Sequence, residues 1–296
     1  MGLWQTYRFI TGHPLTRGQV PQALARWLRW QLGSRVLGWP VAVPFVGTTR
    51  LLVRPGMTGA TGNIYCGLHE FEDMAFVLHF LRLGDLFVDV GANIGSYTIL
   101  ASALDAKIIS FEPVPETFEA LLDNLHLNRL AASVEARHQA VGRHEGEIEM
   151  VADQDTTNQA LVPGARYSGK TIRVPMVTLD EALHGRVPKL VKIDVEGFES
   201  EVLAGARATL QSPSLRGLII ELNGSGQRYG FDEDALHRDI QALGFQPCRY
   251  DPLQRRLTDL DGGRSSSGNT LYVRDPQAAH AELQAAPRYR ILGTDL

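Results

Sequence analysis

Acidic residues beside glycines are the first feature of the sequence that could do chemistry. The segment LFVDVGANIGSYTILASAL, residues 86–104, runs from apolar residues into Asp89, and Gly91 and Gly95 follow. Glycines at these positions permit a sharp turn from a strand into a helix, and the first N–H groups of that helix can bind an anion. A carboxylate beside the turn would repel a phosphate. The pattern therefore indicates a ligand that carries a cation next to its anion, as an amino acid does.

A second acid, Glu112, ends the next predicted strand, KIISFEP. An acid at this position can accept hydrogen bonds from both hydroxyls of a ribose. The dinucleotide pattern G-x-G-x-x-G is absent, because Asn93 and Ser96 stand where two of its glycines would be, and no Walker A sequence follows. A ligand with an amino-acid end and a ribonucleoside end is S-adenosylmethionine, which we expect as the cofactor. Asn93 is expected either to shape the turn or to contact this ligand.

Two carboxylates, Asp194 and Glu196, come directly after the buried-strand pattern in KLVKIDVEG. Carboxylates at such a place cost free energy unless they have partners. We expect them to be the catalytic residues, which orient or deprotonate an acceptor hydroxyl. The alternative is structural: one of the two caps the following helix and the other pairs with a basic residue.

Three further residues are candidates for binding the acceptor substrate. Glu221 and Asn223 end the next predicted strand, and His69 could act as a general base near neutral pH or be an ordinary solvated histidine. With Asp194, the first two would place oxygen ligands at adjacent strand ends, which makes a magnesium site an alternative. The expected site nevertheless contains no metal.

Strands that alternate with helices from residue 70 onward would position all these groups. This order predicts βαβ units and a doubly wound, mostly parallel sheet with helices on both faces. Ligands of such sheets bind beyond the carboxyl ends of the strands, near the point where the strand order reverses. We expect Ala140 and Val141, at the end of the predicted third strand ASVEARHQAVG, to flank an adenine through their backbone.

Six segments, in this order, resemble the FkbM-type family of S-adenosylmethionine-dependent methyltransferases: FVDVGANIGSYT, FEPVPETFEALLDNLHLN, AVG, VTLDEAL, KIDVEGFESEVLAGA and IIELN. The resemblance covers residues 64–275. It implies the Rossmann-like class I methyltransferase fold, an α/β fold with a seven-stranded sheet whose last strand is antiparallel. It also implies O-methylation of a glycan, a secondary metabolite or another small hydroxyl compound, and contact of Glu70 with the donor. Residues 143–177, predicted to carry extra strands, lie outside the best-matched segments.

Two other functions stay open at this point. One is a non-catalytic module of the same fold that binds a nucleoside-like ligand, and the retained acids and glycines argue against it. The other is a methyltransferase acting on RNA, which the acidic remainder of the chain and the lack of an Asn-Pro-Pro-Tyr-type motif oppose. We therefore expect a small-molecule or glycan acceptor, free or lipid-linked, and no nucleic-acid partner. The oligomeric state does not follow from the sequence.

The N-terminal segment has an unusual charge. Residues 1–69 contain seven arginines and no Asp or Glu, so their charge is +7 while that of the whole chain is −4. Within this segment a helix-like stretch carries Trp27, Trp30 and Trp39. A basic helix with tryptophans can lie on an anionic membrane surface. Packing on the acidic remainder of the chain is the favoured alternative, and the sequence does not show which face is exposed.

The predicted division of the chain is a basic extension of helices and a hairpin at 1–60, the S-adenosylmethionine-binding domain at 61–276 and a tail at 277–296. No apolar run approaches the roughly 20 residues of a membrane span. The N-terminus lacks the pattern of a signal peptide, and the two cysteines lie far apart without metal-ligand spacing. We expect a cytoplasmic protein, with peripheral membrane contact through residues 1–54 as the alternative.

Overall fold

The computed structural model describes residues 2–54, 56–152, 158–162 and 167–296. Its helices are α1 (Leu3–Gly12), α2 (Val20–Leu37), α3 (Thr58–Cys66), α4 (Phe71–Phe80), α5 (Ser96–Ser102), α6 (Pro115–Leu127), α7 (Leu179–Leu183), α8 (Glu199–Ala204), α9 (Arg207–Gln211), α10 (Glu233–Ala242) and α11 (Pro276–Gln284), with a short 3-10 helix at Ser225–Tyr229. Its strands are β1 (Val41–Pro44), β2 (Arg50–Val53), β3 (Leu86–Val90), β4 (Lys107–Phe111), β5 (Val134–Arg137), β6 (Ala140–Val141), β7 (Gly146–Val151), β8 (Thr171–Val177), β9 (Leu190–Ile193), β10 (Gly217–Glu221), β11 (Gln246–Asp251), β12 (Arg256–Asp259), β13 (Asn269–Val273), β14 (Arg290–Ile291) and β15 (Thr294–Asp295).

The central sheet has the strand order β12-β11-β13-β10-β9-β3-β4-β5. Strands β5, β4, β3, β9 and β10 are parallel, and β13 runs antiparallel to both of its neighbours. The predicted α/β fold with a mostly parallel sheet is confirmed. The predicted count of seven strands is wrong by one, because β12 folds back on β11 as a hairpin and adds an eighth strand at the edge. The order reverses between β3 and β9, where a ligand is expected.

Successive residues of the central strands pack into two different cores. Phe87 and Leu190 lie in a core formed with α4, α5 and α6, whereas Val88 and Val191 lie in a core formed with α7 to α10. Neighbouring side chains in a strand point to opposite faces of a sheet, so each strand contributes to both cores. Helices cover both faces, and the predicted doubly wound arrangement is confirmed.

The predicted third strand is in fact two strands of two different sheets. β5 extends the main sheet beside β4, whereas β6 pairs with β8 in a separate three-stranded sheet of order β6-β8-β7. β7 and β8 confirm that the segment 143–177 carries extra strands. Residues 153–157 and 163–166 of that segment lie outside the described residues.

The N-terminal helices and hairpin lie against the same core as the sheet. Ile10 of α1 and both Ala23 and Trp30 of α2 are buried in the core that contains α4 and α5. The β1–β2 hairpin is attached to α6, because the Asn124 side chain accepts a hydrogen bond from the Leu52 N–H at 2.7 Å. The division of the chain at residues 60 and 276 stays a prediction.

The C-terminal residues form an ordered part of the fold. α11 packs against α4 through the buried Ala279 and Leu283, and the β14–β15 hairpin follows it. Among the described residues, the helices are each too short or too polar to cross a lipid bilayer.

Candidate functional site

The turn between β3 and α5 is built from left-handed backbone conformations. The φ angles of Gly91, Asn93 and Gly95 are 78°, 52° and 91°. A Cβ added to Gly91 would lie 1.8 Å from the carbonyl oxygen of Asp194, and one added to Gly95 would lie 2.5 Å from Leu121 Cδ1. The turn therefore lies directly against the backbone that leaves β9, and only a residue without a side chain fits at its first position.

A cavity of about 260 Å³ opens above this turn, at the carboxyl ends of β3, β4, β9 and β10. The predicted site residues that line it are His69, Glu70, Gly91, Asn93, Glu112, Asp194, Glu196 and Glu221. A smaller, mainly apolar pocket of about 30 Å³ adjoins it, and Ala140 and Val141 line this second pocket. The fold thus brings together groups that are far apart in the chain.

Three predicted residues line neither of these two pockets. Asp89 is buried beneath the larger cavity and accepts a hydrogen bond from the Thr98 hydroxyl at 2.7 Å, while its Oδ1 atom has no hydrogen-bond partner among the described residues. Gly95 faces the helix α6. Asn223 is exposed, and its Oδ1 accepts from the Ser225 N–H at 2.9 Å at the start of the 3-10 helix. Their roles in ligand binding stay predictions.

Glu112 is held rigidly by the backbone around it. Its Oε2 accepts a hydrogen bond from the Asn93 N–H and its Oε1 accepts one from the Val114 N–H, both at 2.9 Å. Burial raises the pKa of Glu112 to about 7. Each carboxylate oxygen can accept a second hydrogen bond, so this group can still bind hydroxyls of a ligand.

A buried lysine at the centre of the site was missed by the sequence prediction. Lys192 of β9 donates a hydrogen bond to Asp194 Oδ2 at 2.8 Å, and its Nζ lies 4.8 Å from the ring centre of Tyr97. Its Cα pairs with that of Asp89 in the β3–β9 register. Burial opposes its charge, but the carboxylates of Asp194 and Asp89 raise the pKa of Lys192 above its usual range. A lysine two positions before an acid in an apolar strand could have revealed this pair, since such residues share a face.

Glu70 is fixed by residues from two distant elements, which were also missed. The Tyr97 hydroxyl donates to Glu70 Oε2 at 2.7 Å, and Asn269 Nδ2 donates to Glu70 Oε1 at 3.1 Å and to Asp73 Oδ2 at 3.1 Å. Burial, together with the negative charge of Glu70, raises the pKa of Asp73 to about 7. No local sequence pattern links β13 to the start of α4, so these contacts appear only in the folded chain.

A group of three carboxyl groups lies at the carboxyl ends of β9 and β10: Asp194, Glu196 and Glu221. One oxygen from each lies within 4.8 Å of the other two. Burial and the negative charges of Asp194 and Glu196 raise the pKa of Glu221 to about 9, and burial also raises the pKa of Glu196. Such a group could hold a divalent cation or face a positively charged ligand. It differs from the predicted magnesium set, in which Asn223 stood in place of Glu196.

The cavity carries an excess of negative charge. Five carboxyl groups line it, against one lysine and one histidine, so an excess of negative charge remains at neutral pH even with Glu221 protonated, as its pKa of about 9 implies. A concave site with one dominant sign of charge attracts ligands of the opposite sign. The site is therefore suited to a ligand with positive charge and with hydroxyl groups for Glu112.

The protein-family model described as the methyltransferase FkbM domain matches residues 89–247 of this sequence. These residues span the glycine turn, Glu112 and the carboxyl groups after β9 and β10. The chain belongs to the FkbM methyltransferase family. The resemblance drawn from the six sequence segments is confirmed.

Among known relatives, a hexuronic acid methyltransferase of Haloferax volcanii is 32% identical over 142 residues, which are 47% of this chain and 56% of that protein. The 31-O-demethyl-FK506 methyltransferase of Streptomyces tacrolimicus is 27% identical over 189 residues, 52% of this chain and 72% of that protein. The chain thus spans a little over half the length of the Haloferax protein. An S-adenosylmethionine-dependent methyltransferase of known structure from Agrobacterium tumefaciens aligns with a TM-score of 0.42 at 11% identity, over 81% of this chain and 71% of that one.

Gly91→Ala should lower the free energy of unfolding more than Gly84→Ala, a substitution at a glycine that has a similar φ angle but open space around it. Gly84 has a φ of 83° and no atom within 4 Å of an added Cβ, so Gly84→Ala should cost only the left-handed strain of about 1–2 kcal/mol. Gly91→Ala adds a clash with the carbonyl oxygen of Asp194 and should cost more than this control. Chemical denaturation measures both losses, and equal losses would show that the turn does not lie against β9.

Glu221→Gln should reduce the loss of stability at alkaline pH. A carboxyl whose pKa is raised from 4.5 in the unfolded chain to about 9 keeps its proton on folding, so the free energy of unfolding falls as pH rises between these values. The slope is at most about 1.4 kcal/mol per pH unit for one group. Denaturation between pH 7 and pH 9, a window above the pKa of about 7 of Glu112, should show a flatter profile for Glu221→Gln than for the wild type. The exposed Glu145→Gln is the control, and parallel profiles for all three proteins would contradict the assignment.

Proposed function

We propose that the protein is an S-adenosylmethionine-dependent O-methyltransferase that acts on a sugar, a glycan or another small hydroxyl compound. Its membership of the FkbM methyltransferase family supports the reaction class. The observation that carries the choice of donor is the carboxylate-lined cavity beside the glycine turn, at the point where the strand order reverses. The donor has two cationic centres, an ammonium and a sulfonium, which match the negative charge of this cavity.

Features of the cavity floor also fit this donor. Gly91 brings the backbone of the turn to the cavity wall, where the carbonyl oxygen of Asp194 leaves no room for a side chain. Glu112 would accept hydrogen bonds from the two ribose hydroxyls. The adjoining pocket, with Ala140 and Val141 in its wall, offers apolar surface to an adenine ring.

The carboxylates after β9 would act on the acceptor. When bound, S-adenosylmethionine supplies the methyl group. The acceptor oxygen forms a bond to this carbon as the carbon–sulfur bond breaks, and the hydroxyl proton must pass to a base. Asp194 and Glu196 lie together at the cavity, and the raised pKa of Glu196 makes it a stronger base than an exposed glutamate. Lys192 would hold Asp194 in place through their 2.8 Å ion pair.

The names of two relatives support an oxygen acceptor, because one refers to a hexuronic acid and the other to a 31-O position. A hexuronic acid carries both hydroxyls and a carboxylate. The net negative charge of the cavity would repel an ionised carboxylate acceptor, whereas a neutral hydroxyl meets no such repulsion. We therefore propose ether formation at a hydroxyl rather than esterification.

Glu112→Ala should weaken donor binding by about 10- to 150-fold, the effect of losing hydrogen bonds to a charged group. Calorimetry with S-adenosylhomocysteine and with adenosine should show similar losses, because the two ligands share the ribose. Glu119→Ala, on the exposed side of α6, is the matched control and should bind normally. Unchanged affinity in a folded Glu112→Ala variant would remove Glu112 from the donor site.

Asp194→Asn or Glu196→Gln should lower turnover by about 10²–10⁴-fold, the usual contribution of a general base, with a much smaller effect on donor affinity. Transfer of a labelled methyl group to a panel of glycosides and uronic acids measures turnover. The labelled product should resist alkali, as an ether does and a methyl ester does not. Normal turnover in both variants would make the two carboxylates structural, and loss of activity with EDTA would restore the metal alternative.

A further inference from the structure

The helix α2 has one face in the protein and one face in solvent. Ala23, Trp30 and Ser34 are buried against the core. Leu28 and Leu32, four residues apart on the opposite face, are 53% and 67% exposed. Val36, Trp39 and, on α1, Leu3 and Trp4 continue this exposed apolar surface; their exposures are 85%, 77%, 73% and 68%. α1 packs against α2, so both helices belong to one N-terminal layer.

Arginines border this apolar surface and have few acidic partners. At 3.6 residues per turn, Arg29 lies on one side of the stripe formed by residues 28, 32 and 36, and Arg35 lies on the other. Both are exposed, and neither pairs with a carboxylate among the described residues. Of the seven arginines in residues 1–69, Arg54 pairs with Asp123, and Arg26 is used internally, as a donor to the Tyr65 carbonyl. The surface therefore presents apolar side chains and uncompensated positive charge together.

We propose that the exposed face of α1 and α2 binds an anionic membrane surface. Leu28, Leu32 and Val36 would enter the boundary between headgroups and acyl chains, and Arg29 and Arg35 would meet the lipid phosphates. Tryptophans such as Trp4 and Trp39 are typical of that boundary. The attraction is about 1 kcal/mol for each basic residue near an anionic surface, and salt weakens it.

Charge favours a membrane over a second copy of this chain as the occupant. In a twofold dimer the same face meets itself, so the stripe of one copy would bring its arginines towards those of the other. With no Asp or Glu in residues 1–69, this segment supplies no charge to offset that repulsion. An anionic lipid surface complements both the apolar residues and the arginines.

Membrane binding would bring the part of the site that His69 lines towards the bilayer, an extension that rests on the proposed function. A second cavity of about 210 Å³ lies beneath α2 and is lined by aromatic and polar side chains that include Trp30, Tyr65 and Arg35. His69 lines both this cavity and the carboxylate-lined one. A glycan whose lipid stays in the bilayer would approach the donor by this side.

Sedimentation of the full chain with vesicles tests the membrane contact without donor or acceptor, so its outcome is separate from that of the methyl-transfer assays. Binding is expected to phosphatidylcholine vesicles that contain phosphatidylglycerol, and neither to pure phosphatidylcholine vesicles nor at high salt. The double variant Arg29→Gln/Arg35→Gln should weaken binding about 30-fold, and Leu32→Gln/Val36→Gln should also weaken it. Arg256→Gln and Leu83→Gln, which change exposed residues elsewhere, should bind normally.

Two results would overturn the proposal. One is the absence of binding to anionic vesicles at low salt, or an equal loss in the control variants. The other is a dimer, measured by light scattering, that dissociates in Leu32→Gln/Val36→Gln, since the face would then be an interface between two copies. The four substituted positions in and beside the stripe are all exposed, so these variants should keep the wild-type denaturation midpoint.

Discussion

A buried positive charge at the middle of the sheet organises this site. Lys192 lies in β9, with Asp89 opposite it on β3, Asp194 two residues later and the ring of Tyr97 from α5 beside it. A buried charge is tolerated only when it is paired, and removing one partner of such a pair typically costs about 3–5 kcal/mol. The ion pair of this lysine is with Asp194 at the end of its own strand, and the negative charge of Asp89 attracts it from β3, across the point where the strand order reverses. The carboxylates of the cavity are arranged around it.

The remaining charges of the cavity are only partly compensated. Glu112 receives two backbone N–H groups, and Glu70 receives the hydroxyl of Tyr97 and the amide of Asn269. Glu221, in contrast, has a buried oxygen without a partner among the described residues. Burial, with the negative charges of neighbouring carboxylates, raises the pKa of Glu112 to about 7 and that of Glu221 to about 9. A cationic ligand would offset these negative charges, and the site is in this sense preorganised for binding a positive charge.

The N-terminal extension has a buried face and an exposed apolar face, which is compatible with both alternatives drawn from the sequence. One face of α2 packs on the core through Trp30, which agrees with the alternative favoured from the sequence. The other face leaves Leu32 and Val36 in solvent between two arginines. Because a helix of this size has room for a buried face and an exposed apolar stripe, packing and surface binding do not exclude each other. Arg35 borders both the exposed stripe and the cavity beneath α2, and this cavity shares His69 with the carboxylate-lined one.

The sequence by itself determined the features that depend on neighbouring residues. The turn at Gly91, the acid at Glu112, the alternation of strands and helices and the family resemblance can all be predicted from short segments, because backbone angles and side-chain periodicity are local properties. Contacts between segments were decided only by the tertiary structure. They include the strand register that places Lys192 opposite Asp89, the hydrogen bond from Asn269 to Glu70, and the separation of β5 and β6 into two sheets. The same holds for the eighth strand and for the exposed face of α2. These features depend on which surfaces meet when the chain packs, and periodicity within a segment carries no information about its partner.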